Sequence, residues 1–394
     1  MKNPITLSAS ALALVAASAL LLSGCATTPT ESAEPTSEPA ESSTGRVSLT
    51  YDGGIYVLDG TSLDLVSDLP LAGFNRLNPA GDAHHVLVST AEGFQVLDAS
   101  GDTELTDLVF EAPSPGHVVR HNGKTILFSD GTGDSIIFDS DALNNEKLPK
   151  TEVVPSEEPH HGVAIELADG TLLSTLGNAD GRVGVRALDP DRTETGRSEH
   201  CPSVHGEGAA KNEVAVFGCS DGVLVYDDGT FTKIAAEDAY GRTGNQYVSE
   251  TSSITVGDYN SNPDSEGYLL TELLLTDTVA KTSKVIDLPE GVGYTWRDVA
   301  RTADDNAVIL GSDGALHLLD VKSGTLTGSI PVIDAWEGPA EWQDAHPAII
   351  VAGSMAYVTE PAKNSIHLVD LITGDVVASA QLDETPNEIA VVSG

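Results

Sequence analysis

The stretch Ile55-Tyr56-Val57-Leu58-Asp59 is the first copy of a pattern that recurs along the whole chain, a short apolar run that ends in aspartate. Later copies follow at intervals of 38 to 50 residues and end at Asp98, Asp139, Asp189, Asp227, Asp277, Asp320 and Asp370. Most copies follow another β-prone run and a glycine-containing turn. A unit of this length accommodates four short strands, so the eight copies predict a β-propeller.

A second series marks the residue at the start of each innermost strand. Its members are Arg76, His117, His161, His205, Gln246, Arg297, His346 and Asn387, at intervals of 41 to 51 residues. After the last member only residues 388–394 remain, enough for one strand, so strands from the N-terminal side must complete that blade. The sequence therefore predicts an all-β fold: a single eight-bladed β-propeller whose N- and C-terminal strands share a blade. Seven blades is the alternative if one unit is irregular, and the unit at 246–288 is the weakest.

The N-terminus reads as a secretory leader. It has a basic start, an apolar run from about Ala11 to Leu22, and then Leu22-Ser23-Gly24-Cys25. This last motif resembles the bacterial lipobox, which implies cleavage after residue 24 and lipid attachment to Cys25. We predict a signal peptide at 1–24, a lipidated Thr/Ser/Glu/Pro-rich tether at 25–45 and the propeller at 46–394. The alternative is an ordinary secretory signal with an incidental cysteine.

Charge and cysteine usage fit an exported protein. The chain has 20 basic and 60 acidic residues, a formal net charge of −40, which disfavours nucleic acid and anionic membrane surfaces as partners. We expect contact with the outer face of the cell membrane through the lipid anchor only. Besides Cys25, the chain has Cys201 and Cys219, which we predict to form a disulfide in an oxidising compartment. Two thiolate metal ligands are the alternative.

Four members of the second series are histidines, and they suggest a metal site in the central channel. His117, His161 and His205 fall on neighbouring blades, and His346 falls roughly across the channel from His161. Neutral imidazole is a good ligand for zinc, although copper and nickel also suit it and divalent copper binds more tightly. The alternative is a set of polar channel residues bonded to water. Secondary candidates near the ring are His121, His160, His200 and Glu207, the last as a ligand or as a partner that fixes an imidazole.

No motif for catalysis stands out. A catalytic zinc site needs an open coordination position and a nearby base, a role that Glu207 is able to fill. The sequence shows no Ser-His-Asp order, phosphate-binding loop, HExxH motif or calcium loop. We therefore predict that the protein is not an enzyme.

The chain from about residue 46 onward resembles the AztD zinc metallochaperones. The motifs that carry this resemblance are His161-Gly162-Val163 after Pro159-His160, then Val204-His205-Gly206-Glu207-Gly208, and Trp296-Arg297-Asp298-Val299-Ala300. The resemblance implies an exported protein that binds Zn²⁺ and passes it to the solute-binding protein of a zinc ABC transporter. By position, the ligands would come from His117, His161, His205 and His346, and we expect a monomer.

One feature departs from that resemblance. Some AztD proteins carry a histidine-rich flexible N-terminal segment, whereas the tether of this chain contains no histidine. A second, mobile zinc site is therefore not expected here, and the lipid anchor would instead keep the protein near the transporter. The rival hypotheses are a non-catalytic propeller scaffold that binds another envelope protein through its faces, and a metal-dependent propeller hydrolase.

Overall fold

The computed structural model describes residues 45–265 and 269–394. The predicted signal peptide, Cys25 and the tether up to residue 44 lie outside these ranges. In the described part of the chain no helix is long and apolar enough to span a membrane. Its helices are single 3₁₀ turns at Ser140–Ala142, Lys211–Glu213 and Pro361–Lys363.

Almost all of the regular structure is β. The strands of the first half are β1 (Arg46–Tyr51), β2 (Gly53–Asp59), β3 (Leu65–Leu71), β4 (Leu77–Pro79), β5 (His85–Thr90), β6 (Gly93–Asp98), β7 (Glu104–Glu111), β8 (Pro115–His121), β9 (Lys124–Ser129), β10 (Asp134–Asp139), β11 (Glu152–Val154), β12 (Ala164–Glu166), β13 (Leu172–Asn178), β14 (Gly181–Leu188), β15 (Glu194–Ser198) and β16 (His205–Ala210). Those of the second half are β17 (Val214–Cys219), β18 (Gly222–Asp227), β19 (Thr230–Ala235), β20 (Gln246–Tyr247), β21 (Ile254–Tyr259), β22 (Glu272–Asp277), β23 (Thr282–Asp287), β24 (Val299–Arg301), β25 (Ala307–Leu310), β26 (Ala315–Asp320), β27 (Thr325–Pro331), β28 (Ile349–Ala352), β29 (Met355–Glu360), β30 (Ser365–Asp370), β31 (Asp375–Gln381) and β32 (Ile389–Val392).

These strands form eight four-stranded antiparallel sheets. Seven sheets take four consecutive strands each, from β4–β7 to β28–β31. The eighth has the order β3-β2-β1-β32, with Arg46 opposite Val392 and Leu49 opposite Ile389. The predictions of eight blades and of a blade shared by the two ends of the propeller are both confirmed. We number the blades from this shared one, so that β4–β7 is blade 2 and β28–β31 is blade 8.

The recurring aspartate ends the third strand of a blade, or directly follows it, and in six of the eight blades its side chain accepts backbone hydrogen bonds in the next turn. Oδ1 of Asp59 accepts hydrogen bonds from the backbone N–H groups of Thr61 and Ser62, both at 2.9 Å. Asp277 and Asp320 do the same for the two residues that lie two and three positions after them. A carboxylate that holds the backbone in this way favours a tight turn to the fourth strand. The repeat was therefore visible because most blades use the same local chemistry at this turn.

The hydrophobic core is divided among the interfaces between neighbouring blades. Phe110 of blade 2 stacks on Phe138 of blade 3, with ring centroids 4.8 Å apart, and buried residues of both blades surround them. Burial of one such side chain contributes about 1.5–3 kcal/mol. Around the channel, β28 packs against β32 and β32 against β4, which closes the ring.

Blade 6, predicted as the weakest unit, is irregular but complete. Its innermost strand β20 has only two residues, and an isolated bridge between Arg242 and Asn260 extends the pairing. The connection from β21 to β22 includes residues 266–268, which lie outside the described ranges. The four strands are nevertheless present, so the seven-bladed alternative is excluded.

A disulfide joins Cys201 to Cys219. Cys201 lies in the segment before β16, and Cys219 is the last residue of β17. The predicted disulfide is thus present, and the alternative of two thiolate ligands is wrong because both sulfurs are bonded to each other. Cys201 lies four residues before His205, so the bond fixes the segment that leads into the innermost strand of blade 5.

Candidate metal centre

Three of the four ring histidines converge. His117 lies near the start of β8, His161 lies just before β12, and His205 is the first residue of β16. Their ring centroids are 4.9 to 5.2 Å apart in every pair. One nitrogen from each ring lies within 4.8 Å of the others, and the described residues contain no other such group of three metal-ligating side chains. Tetrahedral zinc at about 2.0–2.1 Å from each nitrogen requires nitrogens roughly 3.4 Å apart, so a contraction of at most about 1.4 Å suffices.

Backbone and side-chain partners orient two of the rings. Nδ1 of His161 donates to Oδ2 of Asp130 at 2.6 Å, and Nδ1 of His205 donates to the carbonyl oxygen of Gly244 at 2.5 Å. Both bonds leave Nε2 free as a lone-pair donor, the usual arrangement in a histidine metal site. Nε2 of His117 is buried and has no hydrogen-bond partner. A ligand ion would satisfy that nitrogen.

Glycines allow the close approach that this geometry needs. A Cβ atom on Gly116 would lie 2.2 Å from Oδ1 of Asp130, so a larger residue would displace the carboxylate that holds His161. Gly206 has a φ of +61°, and a Cβ there would lie 2.5 Å from the carbonyl oxygen of Gly244. These positions next to His117 and His205 therefore favour glycine for steric reasons.

The surroundings keep two of the imidazoles neutral. Burial, followed by the charge of His205, holds the pKa of His117 well below its usual range. Burial, followed by the charge of His161, lowers the pKa of His205 to about 3. Only neutral imidazole binds a metal ion, so these rings are ready for binding at neutral pH. His161 is the accessible member, with 41% of its side chain exposed.

His346 does not join the other three. Its Nδ1 donates to the carbonyl oxygen of Asp344 at 2.7 Å, and its Nε2 is buried without a partner. Burial and the nearby Arg297 lower its pKa to about 4. His346 belongs to blade 8, whereas the triad belongs to blades 3, 4 and 5. Distance around the ring explains why the side chains of neighbouring blades meet and this one does not.

The secondary candidates also lie outside the triad. Both ring nitrogens of His160 are bonded, Nδ1 to the carbonyl oxygen of Glu158 and Nε2 to the hydroxyl of Thr175. The ring nitrogens of His121 contact Glu213 and Glu250 at 2.9 and 3.0 Å, at the far end of β8 from His117. The remaining two are His200, which is exposed, and Glu207, which has one buried oxygen without a partner and a pKa raised to about 7 by burial.

Neither Asp130 nor the carbonyl group of Gly244 was predicted from the sequence to belong to the site. Asp130 lies in Ser129-Asp130-Gly131, a combination that returns as Ser220-Asp221-Gly222 and Ser312-Asp313-Gly314 and reads as turn chemistry. In the other two copies the aspartate contacts Lys233 and His317 instead. A carboxylate after the second strand of blade 3, the blade before the one that carries His161, was a usable signal, but the direction of its side chain depends on the packing of the two blades.

The opposite side of the ring has a different chemistry. The guanidinium of Arg297 bonds Oδ1 of Asn387 at 2.7 Å and Oε1 of Glu388 at 2.6 Å. Arg76 and Arg297 each lie 5.0 Å from the ring centroid of Trp296. One half of the channel is therefore rich in imidazole and the other in guanidinium.

Comparison with known proteins gives a consistent result. No family model matches the chain. The zinc chaperone AztD of Citrobacter koseri is 26% identical over 297 residues, which cover 74% of this chain and 68% of that protein. The crystal structure of Citrobacter koseri AztD superimposes with a TM-score of 0.75 at 20% identity, covering 89% of this chain and 98% of the other. The chain resembles AztD in sequence and in fold.

Two further solved structures also share the fold. Apo AztD from Citrobacter koseri matches equally well, with a TM-score of 0.75 and the same coverage. Dihydro-heme d1 dehydrogenase NirN, in complex with DHE, has a TM-score of 0.60 at 12% identity and covers 91% of this chain and 77% of its own. The predicted resemblance to AztD is thus confirmed.

Proposed function

We propose that this protein is an exported zinc chaperone that holds one zinc ion through His117, His161 and His205. The observation that carries the proposal is the convergence of three imidazoles from three blades, two of them oriented through Nδ1 by hydrogen-bond partners. The similarity to the zinc chaperone AztD supports zinc as the ion.

A set of three histidine ligands suits a protein that carries zinc and passes it on. Three protein ligands leave the fourth tetrahedral position to water or to a ligand of another protein. The exposure of His161 makes that position accessible from the surface. A ligand of an acceptor is then able to bind the ion before the chaperone releases it, so the ion is never free. A structural zinc site, by contrast, has four protein ligands and is closed.

Zinc titration of the metal-free protein tests metal binding. We expect one ion per chain with a submicromolar dissociation constant, and a loss of at least about 100-fold when His161 or His205 becomes alanine. His200→Ala is the matched control, because this exposed histidine lies outside the triad. Binding weaker than micromolar, or equal binding in all variants, would contradict the proposal.

We propose further that the acceptor is the solute-binding protein of a zinc ABC transporter. The family resemblance supports this partner, and the open position explains how transfer would occur. In the test, zinc-loaded protein is mixed with metal-free acceptor. Transfer should be faster than release of zinc to an excess of a chelator, because direct ligand exchange bypasses dissociation. If zinc reaches the acceptor no faster than it reaches the chelator, direct transfer does not occur. Any complex between the two proteins would then favour the scaffold hypothesis.

We propose that the protein is exported and anchored by a lipid at Cys25. The support is the leader sequence and its Leu-Ser-Gly-Cys motif. Fractionation of cells that express the full chain should place it in the membrane fraction, and Cys25→Ser should release it or block its processing. The Cys201–Cys219 disulfide is consistent with an oxidising compartment. A Cys25→Ser protein that is processed to the size of the mature wild type and still fractionates with the membrane would contradict the anchor.

A further inference from the structure

The central channel holds a second feature that the zinc hypothesis does not use. A cavity of about 390 Å³ lies beside the triad, and His117 forms part of its wall. Its charged lining consists of Arg76, Arg120, Arg297, Glu207 and Glu388. The volume is in the range of sites for small molecules.

Arg120 is the charged group in this cavity whose position most needs an explanation. It is the residue before the last of β8, and its exposed side chain lines the cavity. Its guanidinium has no hydrogen-bond or ion-pair partner among the described residues. Arg120 therefore adds a positive charge to the cavity wall that no carboxylate of the described residues pairs with, and its guanidinium is available to an anion that enters the cavity.

The two other arginines are only partly satisfied. Arg297 bonds Glu388 at 2.6 Å, while Arg76 lies 4.0 Å from the other oxygen of the same carboxylate. The Nε atoms of both arginines are buried and make no hydrogen bond. Two guanidiniums thus share one carboxylate, and Trp296 between them lines the same cavity.

The cluster formed by Arg76, Arg120 and Arg297 is unusual because the chain as a whole is strongly acidic. Acidic residues outnumber basic ones by 60 to 20, yet three arginines line one cavity. We propose that the channel cavity binds a small oxyanion, a carboxylate or a phosphate, between Arg120 and the pair formed by Arg76 and Arg297. Guanidinium groups bind both kinds of anion with charge-assisted hydrogen bonds. This site goes beyond the proposed zinc function and does not depend on a bound metal.

Calorimetric titration of the metal-free mature protein with citrate and with inorganic phosphate tests the proposal. Sodium chloride at matched ionic strength corrects for general screening. We expect one anion per chain with a dissociation constant below a millimolar, and the stronger of the two titrants identifies the class of ligand. Arg120→Gln should weaken binding at least about tenfold, as expected for the loss of a hydrogen bond to a charged group. The same substitution at Arg197, which pairs with exposed carboxylates on the outside of blade 4, should change it less than twofold.

Tryptophan emission provides an independent measurement. Anion binding should shift the emission of Trp296, and Trp296→Phe should remove the shift. Arg76→Gln is a second variant in case Arg120→Gln fails to fold, and stoichiometric zinc binding by either variant confirms an intact propeller. The proposal is overturned if neither anion binds at millimolar concentration. It is also overturned if Arg120→Gln, Arg76→Gln and Arg197→Gln all bind the anion as the wild type does.

Discussion

Nδ1 of His161 lies 2.6 Å from the carboxylate of Asp130, and this bond connects two blades. Asp130 directly follows β9 in blade 3, whereas His161 leads into β12 in blade 4. The backbone N–H of Gly162 also points at the same carboxylate, at 3.4 Å. One side chain therefore orients the imidazole of the next blade and anchors the backbone beside it.

Loss of this carboxylate should weaken zinc binding while the fold persists. We expect Asp130→Asn to lower zinc affinity about 10- to 100-fold, because the imidazole is no longer held in one tautomer and one orientation. Competition with a chromophoric chelator measures the change. Asp221→Asn is the control, since Asp221 lies at an equivalent turn but contacts Lys233. If both variants bind zinc like the wild type, Asp130 has no part in orienting the ligand.

The adjacent histidines His160 and His161 should give opposite results. His160 is buried and bonded through both nitrogens, so His160→Ala should reduce the free energy of unfolding by at least about 1–3 kcal/mol. His161→Ala removes an exposed side chain and should change stability little, but it should abolish tight zinc binding. Chemical denaturation and zinc titration of both variants measure the two effects. A similar loss of zinc binding in the folded His160→Ala protein would contradict this assignment.

The stability of the metal-free protein should depend on pH through His346. Burial lowers its pKa to about 4 in the folded state, from the ordinary value of 6.5, so the unfolded chain takes up the proton first as pH falls. The stabilisation is complete above pH 6.5 and is lost as pH falls towards 4. Between pH 7 and pH 5 the loss due to this residue is about 2 kcal/mol.

His346→Asn should remove that part of the pH dependence. The difference in unfolding free energy between pH 7 and pH 5 should therefore be about 2 kcal/mol smaller in the variant. The contributions of His117 and His205 are present in both proteins and cancel. Urea denaturation at the two pH values measures the difference, with His200→Asn as a control. An unchanged pH dependence would show that His346 titrates normally.

The disulfide should stabilise both the fold and the metal site. It closes a separation of 18 residues, so replacing both cysteines by alanine should cost about 3 kcal/mol of unfolding free energy. Zinc affinity should fall as well, because the segment that carries His205 loses its tether. Denaturation and zinc titration of Cys201→Ala/Cys219→Ala measure both effects. Unchanged values for both would show that the bond constrains neither the fold nor the site.

The blade count was predictable because its signals are local. Six of the eight aspartates hold a turn within their own blade, so the same residue type recurs where a similar hairpin is built. The shared blade was predictable because seven residues after Asn387 leave room for only one strand. Even the short β20 did not disturb the repeat, because its blade kept the other three strands.

The composition of the site was only partly predictable. Alignment of the blades placed four histidines at equivalent positions, but equivalence around a ring does not mean contact. His117, His161 and His205 meet because their blades are neighbours, whereas His346 is held by the backbone of Asp344 elsewhere on the ring. Contacts between blades, such as Asp130 with His161, depend on side-chain directions that no local pattern in the sequence encodes.

X-ray absorption spectroscopy of the protein loaded with one equivalent of zinc tests the central claim most directly. We predict three imidazole nitrogens and one further light atom at about 2.0–2.1 Å, and no sulfur. His117→Ala, His161→Ala and His205→Ala should each remove one imidazole contribution or abolish binding, whereas His346→Ala should leave the spectrum unchanged. A sulfur ligand, fewer than three imidazoles, or a spectrum that changes only with His346 would contradict it.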